Sequence, residues 1–138
     1  MSEVSEYTIS LRFFGDDLNP EEISSQLGAQ PSTSCRKGDV FHGKKGDRIE
    51  KTGAWLLRAS TKPGESFEPL IDALLNGLTQ DMQIWKSLAT KYDGDLYCGV
   101  WLSESNQGME LSPGLMARLG ERGLRLGLDI YAKADEDG

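Results

Sequence analysis

One histidine and two cysteines in 138 residues leave little material for metal or nucleophile chemistry. Cys35 and Cys98 belong to no CxxC or CxxH pair, so a zinc site has no local support. Two cysteines are also too few for a disulfide framework. No G-x-S-x-G elbow occurs, and any triad would depend on His42. GKKGDR lacks the spacing of a phosphate-binding loop. No apolar run approaches the ~20 residues of a membrane span. The polar, acidic start MSEVSEYTIS does not read as a signal peptide. These absences predict a cytoplasmic protein with free thiols, no cofactor, no metal and no membrane contact.

What the chain does hold is negative charge. Its net charge is −7, which repels phosphate backbones and anionic membranes. One segment runs against this. Residues 36–51 contain Arg36, Lys37, Lys44, Lys45, Arg48 and Lys51 against Asp39, Asp47 and Glu50, a net +3 that leaves −10 on the rest. Such a contrast steers an acidic partner over a Debye length of roughly 8 Å.

The patterning predicts a single domain over 1–138, with an ordered core at about 7–132 and a frayed acidic tail at 133–138. YTISLRF alternates with a period of two and reads as a half-buried strand. A helix follows, with Asn19 as cap, Pro20 in its first position, Glu22 reaching back as a capping box, Leu18 and Ile23 as a staple and Gly28 as the stop. Residues 32–51 read as a mobile basic loop, with weak strand character only at RIEK. TGAWLLRAS is a strand, ended by KPGES. Phe67, Leu70, Ile71, Leu74, Leu75 and Leu78 keep helical spacing, with Ser66 as cap and Pro69 in the first turn. Met82, Trp85, Leu88, Ala89 and Tyr92 form a second stripe, either a separate helix or the continuation of a bent one. DLYCGVWLS and LRLGLDIY alternate as strands. Between them lies a helix with Ser112 as cap, Pro113 first, Leu115, Met116 and Leu119 inward and Gly120 as the stop. Strands that alternate are half-buried, not sandwiched between helix layers. The fold class is therefore α+β: a mostly antiparallel or mixed sheet of four to five strands, with three to four helices mainly on one face.

Candidate sites are few. His42 has only Asp39 and Asp47 nearby and reads as an exposed histidine. Cys98, mid-strand, reads as a small buried hydrophobe. Arg36 and Lys37 would favour a thiolate at Cys35, though the flanking sequence carries no redox motif. Lys44, Lys45 and Arg48 are the residues best placed to meet an anion. Yet Phe41 is the lone aromatic of the basic segment, where a single-strand nucleic-acid binder would present stacking platforms.

The tryptophans point elsewhere. Trp55 and Trp85 read as core anchors. Trp101 falls on the strand face opposite Leu96, Cys98, Val100 and Leu102, together with Tyr97, and Gly99 leaves a shallow gap between them. Asp129 and Tyr131 fall on the comparable face of the last strand, where Asp129 shares its side with Arg125 and reads as part of an ion pair. Tyr97, Trp101, Asp129 and Tyr131 thus mark an outward aromatic surface, of the kind where interfaces concentrate energy.

YTISLRFFGDDLNPEEISSQLGAQPS, GAW and LMARLGERGLRLGLDIYA together resemble the bacterial domain-of-unknown-function family numbered 4279. The resemblance covers about residues 7–132, through Gly15, Pro20, Leu27, Gly28, Pro31, Trp55, Leu119, Gly120, Asp129 and Tyr131. It implies a small single-domain cytoplasmic protein and no established activity or catalytic residue. The expected function is a non-enzymatic, immunity- or accessory-like module that binds another protein. The alternative is binding of RNA or a phosphorylated small molecule through residues 36–51.

Overall fold

Alternation fixes the first strand, β1 (Glu6–Gly15), with Tyr7, Ile9, Leu11 and Phe13 buried on one face. The computed structural model describes residues 6–59 and 66–132. After β1 come α1 (Pro20–Leu27), β2 (Thr33–Cys35), β3 (Val40–Gly43), β4 (Gly46–Ile49), β5 (Gly53–Arg58), α2 (Phe67–Asn76) and α3 (Met82–Lys91). The chain continues through β6 (Asp93–Trp101), α4 (Pro113–Glu121) and β7 (Arg125–Tyr131). The break read at 62–65 and the tail 133–138 lie outside the described residues.

The main sheet has five strands in the order β2-β5-β1-β6-β7, and β3 and β4 form a separate pair. All neighbours in the main sheet are antiparallel except β6 and β7, which run parallel. A parallel pair needs a crossover, and α4 supplies it. The fold is α+β, with four helices and a mixed sheet. Buried residues of all four helices join one cluster with the inward residues of β1, β5 and β6, so the helices cover one face. Among the described residues, no helix is long and apolar enough to cross a membrane.

Local signals explain most helix ends. The Asn19 side chain accepts from the backbone N–H groups of Glu21 and Glu22, and Gly28 stops α1 at φ 80°. Glu22 does not close a capping box. Its Oε1 accepts instead from Lys91 Nζ at 3.1 Å, tying α1 to the end of α3. Asp81 caps α3 through Gln83 N–H, so residues 67–91 form two helices. Two further details differ from the sequence reading. The helix α4 runs past Gly120, and Gly123, at φ 70°, makes the turn, because only that position takes the left-handed conformation. Met116 is exposed, since Leu115 and Leu119 already define the inward stripe.

Aromatic packing anchors the core. Phe13 lies between Trp55 and Trp85, with ring centroids 6.1 and 6.4 Å away. Both indoles are fully buried, and both N–H groups are satisfied, by Ser24 Oγ at 3.0 Å and by the Thr79 carbonyl at 2.9 Å. Each such side chain contributes roughly 1.5–3 kcal/mol through burial alone. Arg122 is also buried, against the Trp85 ring at 5.5 Å, donating to the Arg118 carbonyl and to Glu121 Oε1.

The segment 32–51 is more ordered in pattern than a loop. It pairs β2 with β5 and folds β3 onto β4 as a hairpin whose turn is Lys44–Lys45, with Gly46 at φ 116°. Strands of four residues, interrupted by glycine and lysine, are too short to show a period of two.

Candidate functional site

The helices leave one sheet face bare. Alternation places Glu6, Thr8, Ser10, Arg12 and Phe14 of β1 on it, and register adds the rest. Across the sheet, Arg12 stands beside Asp95 and Asp95 beside Arg125; Ser10 beside Tyr97 and Tyr97 beside Gly127; Thr8 beside Gly99 and Gly99 beside Asp129; Glu6 beside Trp101 and Trp101 beside Tyr131.

These neighbours form one connected cluster. Trp101 and Tyr131 stack with centroids 4.9 Å apart and planes 14° apart. Tyr131 and Tyr97 both donate their hydroxyls to Asp129 Oδ2, each at 2.7 Å. Arg12 forms a bidentate pair with Asp95, at 2.9 and 2.7 Å, and its guanidinium lies 4.1 Å from the Tyr97 ring centroid and 5.1 Å from that of Phe14. The gap expected at Gly99 is filled. A Cβ there would sit 2.8 Å from Thr8 Oγ1 and 2.9 Å from Trp101 Cη2 and Cζ3, so the indole lies over the glycine. Gly127 performs the same service for the Tyr97 ring, 3.2 Å from where its Cβ would be.

Electrostatics follow from the bonds. The hydroxyls of Tyr131 and Tyr97 hold the Asp129 carboxyl below its usual range. The same bonds to Asp129 raise both phenols. Bonding to Asp95 raises the Arg12 guanidinium further. Every one of these shifts moves a group away from neutrality, where general acid–base work is done. The cluster presents an anion, two hydroxyls and stacked rings; it holds no activated nucleophile.

Tyr97, Trp101, Asp129 and Tyr131 are thus brought together. Lys44, Lys45 and Arg48 are not: they lie on the hairpin, whose residues join β2 and β5 at the far edge around a cleft of about 360 Å³. Phe41 and Arg48 line it, the guanidinium 5.2 Å from the ring. Much of the basic charge is already paired. Arg36 bonds Glu21 at 2.7 Å, Lys37 bonds Asp16 at 3.2 Å and Arg48 bonds Glu50 at 2.9 Å. His42 meets Asp47 across the hairpin at 2.7 Å, both exposed.

Two expectations are corrected. Asp129 pairs with tyrosines and not with Arg125, which lies four residues earlier on the same strand, about 13 Å away at ~3.3 Å of rise per residue; the ion pair of this face is Arg12–Asp95. The Cys35 thiol is pushed up, first by burial and then by Glu50, because Arg36 and Lys37 turn to Glu21 and Asp16. Burial pushes Cys98 up to about 12. Among the described residues, no three His, Cys, Asp or Glu side chains converge as metal ligands. Arg12, Phe14 and Asp95 escaped sequence reasoning; alternation placed Arg12 outward, but only register reveals its partners.

Comparison with curated proteins and with solved structures gives no match. The family comparison does: the chain belongs to the family described as Domain of unknown function (DUF4279), whose pattern spans residues 5–133.

Proposed function

We propose that this protein is a non-enzymatic interaction module, immunity- or accessory-like, that binds another protein on the helix-free sheet face in a bacterial cytoplasm. The observation that carries this reading is the preorganised cluster of Trp101, Tyr131, Tyr97 and Asp129. Its rings are held before any partner arrives, so little side-chain entropy is lost on docking. Both tyrosines donate to Asp129 Oδ2, and no donor among the described residues reaches Oδ1. An ionised acceptor beside stacked aromatics, on a body of −10, suits a partner that offers arginine or lysine. Both cysteines are free, as a reducing compartment requires.

The test is capture from a lysate, comparing the full chain with a Tyr97→Ala/Trp101→Ala variant. The captured protein binds wild type at least ~tenfold more tightly and protects β6 and β7 amides from exchange. Equal retention by both chains refutes the surface.

A second reading places RNA or a phosphorylated small molecule on Lys44, Lys45 and Arg48. It is supported by the two turn lysines, which have no partner among the described residues, and weakened by the pairing of Arg48. It requires binding that falls steeply with salt and is lost in Lys44→Glu/Lys45→Glu.

A further inference from the structure

The two edges of the main sheet are unlike. At one end β2 has only three residues, the usual way of blunting an edge. At the other end β7 runs for seven, without proline, and no strand among the described residues pairs with its outer side. Among the described residues, six of the seven exposed large apolar side chains fall on the hairpin and on β7. On β7 they are Leu128 (41% exposed), Ile130 (57%) and Tyr131 (44%); the seventh, Met116, is on α4.

Main-chain direction along β7 is set by one bond. The Tyr131 carbonyl accepts from Leu102 N–H at 3.0 Å and so points toward β6. By alternation Leu126, Leu128 and Ile130 turn their N–H and C=O groups to the open side. Their side chains lie on the helix side, opposite Arg125, Gly127, Asp129 and Tyr131.

The sequence of β7, RLGLDIY, is self-complementary when reversed about Leu128. Leu128 then faces Leu128 of the copy, and Leu126 faces Ile130. On the bare face Arg125 stands opposite Tyr131 of the copy and diagonal to Asp129. Diagonal neighbours in an antiparallel pair are about 7–8 Å apart, within reach of an arginine. Among the described residues, the exposed Arg125 has no partner and no donor reaches Asp129 Oδ1. Gly127 falls opposite Asp129, which leaves room for the Tyr97 ring already lying across it. A shift of one residue would turn every side chain to the wrong face.

We infer that β7 is the self-pairing edge of a homodimer, joined antiparallel about a two-fold axis at Leu128. The pairing makes one continuous sheet of the two five-stranded halves. About six main-chain hydrogen bonds close, in the alternating pairs of an antiparallel ladder. The axis lines up two aromatic–acid clusters on one face. A seam this narrow is smaller than a standard interface of about 1,600 Å², so association lies in the micromolar range.

Sedimentation equilibrium of the full chain over roughly 1–500 μM tests it. Wild type is expected to pass from 15.2 kDa to twice that mass. Leu128→Lys and Ile130→Lys, on the helix side, stay at 15.2 kDa while keeping the wild-type circular dichroism. Arg125→Glu and Asp129→Lys each weaken self-association about tenfold, because each sets like charges across the axis. Mixing those two variants restores it, since both diagonals are then complementary. A wild type that remains monomeric throughout overturns the pairing and leaves the edge to a strand of another protein. A dimer indifferent to Leu128→Lys overturns it too. Leu128 is no part of the proposed docking face, so loss of the dimer with partner capture intact separates this inference from that reading.

Discussion

Gly99→Ala probes the geometry on which the candidate site depends. The new methyl would meet Thr8 Oγ1 at 2.8 Å and the far edge of the Trp101 indole at 2.9 Å. Neither obstacle is backbone, so both can move, at a cost. Swinging the indole away ends its stack on Tyr131, worth about 0.5–1.5 kcal/mol. Rotating Thr8 off its preferred well costs a further ~0.5–1.5 kcal/mol. Against this, alanine loses less backbone freedom on folding than glycine, an offset of roughly 0.5–1 kcal/mol. The net is a destabilisation of about 1 kcal/mol, or a fall of roughly 3–5 °C in Tm. Urea unfolding reads the first quantity. Iodide quenching reads the geometry: Trp55 and Trp85 are fully buried, so Trp101 is the tryptophan a quencher reaches. In Gly99→Ala the displaced ring is quenched more strongly. In a Trp101→Ala background the same glycine change costs less, because one of the two obstacles is gone. Unchanged quenching together with unchanged stability would refute the placement of the indole over Gly99.

A double-mutant cycle of Arg12→Met and Asp95→Asn should give a coupling of about 1–3 kcal/mol, since the pair is bidentate and three-quarters shielded; near-additive effects would contradict it. Asp129→Asn should lower Tm across neutral pH. The folded carboxyl lies below its ordinary value near 3.9, so its contribution is present above that pH and lost as pH falls through the lowered folded value; the wild-type advantage shrinks below about pH 4. The raised phenols of Tyr97 and Tyr131 bound the same window from above: their contribution is full below about pH 10 and lost as pH rises beyond it. Ser24→Ala should cost about 1–3 kcal/mol in urea unfolding, because it strands the buried Trp55 N–H. Thiol labelling at pH 8 should leave Cys98 unmodified until the chain unfolds, its thiol being pushed up to about 12 by burial.

The helix-free surface was legible in part. Tyr97, Trp101, Asp129 and Tyr131 lie at odd positions of strands whose even positions are apolar, and alternation alone assigns them a face. Their partners were not legible. Asp129 meets Tyr97 from a strand 32 residues earlier, and Arg12 meets Asp95 across 83 residues. No local pattern encodes such register. The hairpin escaped for another reason: its order comes from the cross-strand pairs Phe41–Arg48 and His42–Asp47, which exist only once the strands are in contact.

By itself the sequence determined what short-range physics decides. Period-two alternation gave the half-buried strands, Asn19 and Ser112 the starts of α1 and α4, and the apolar stripes the faces the helices bury. Those are contacts and hydrogen bonds made within a few residues. Only the tertiary structure decided that β7 lies parallel to β6 at an open edge, that Arg36 is paired with Glu21 and Lys37 with Asp16, and that two glycines receive aromatic rings. Strand order and register are settled by how the whole apolar face closes over the helices, and that is a property of the packed chain.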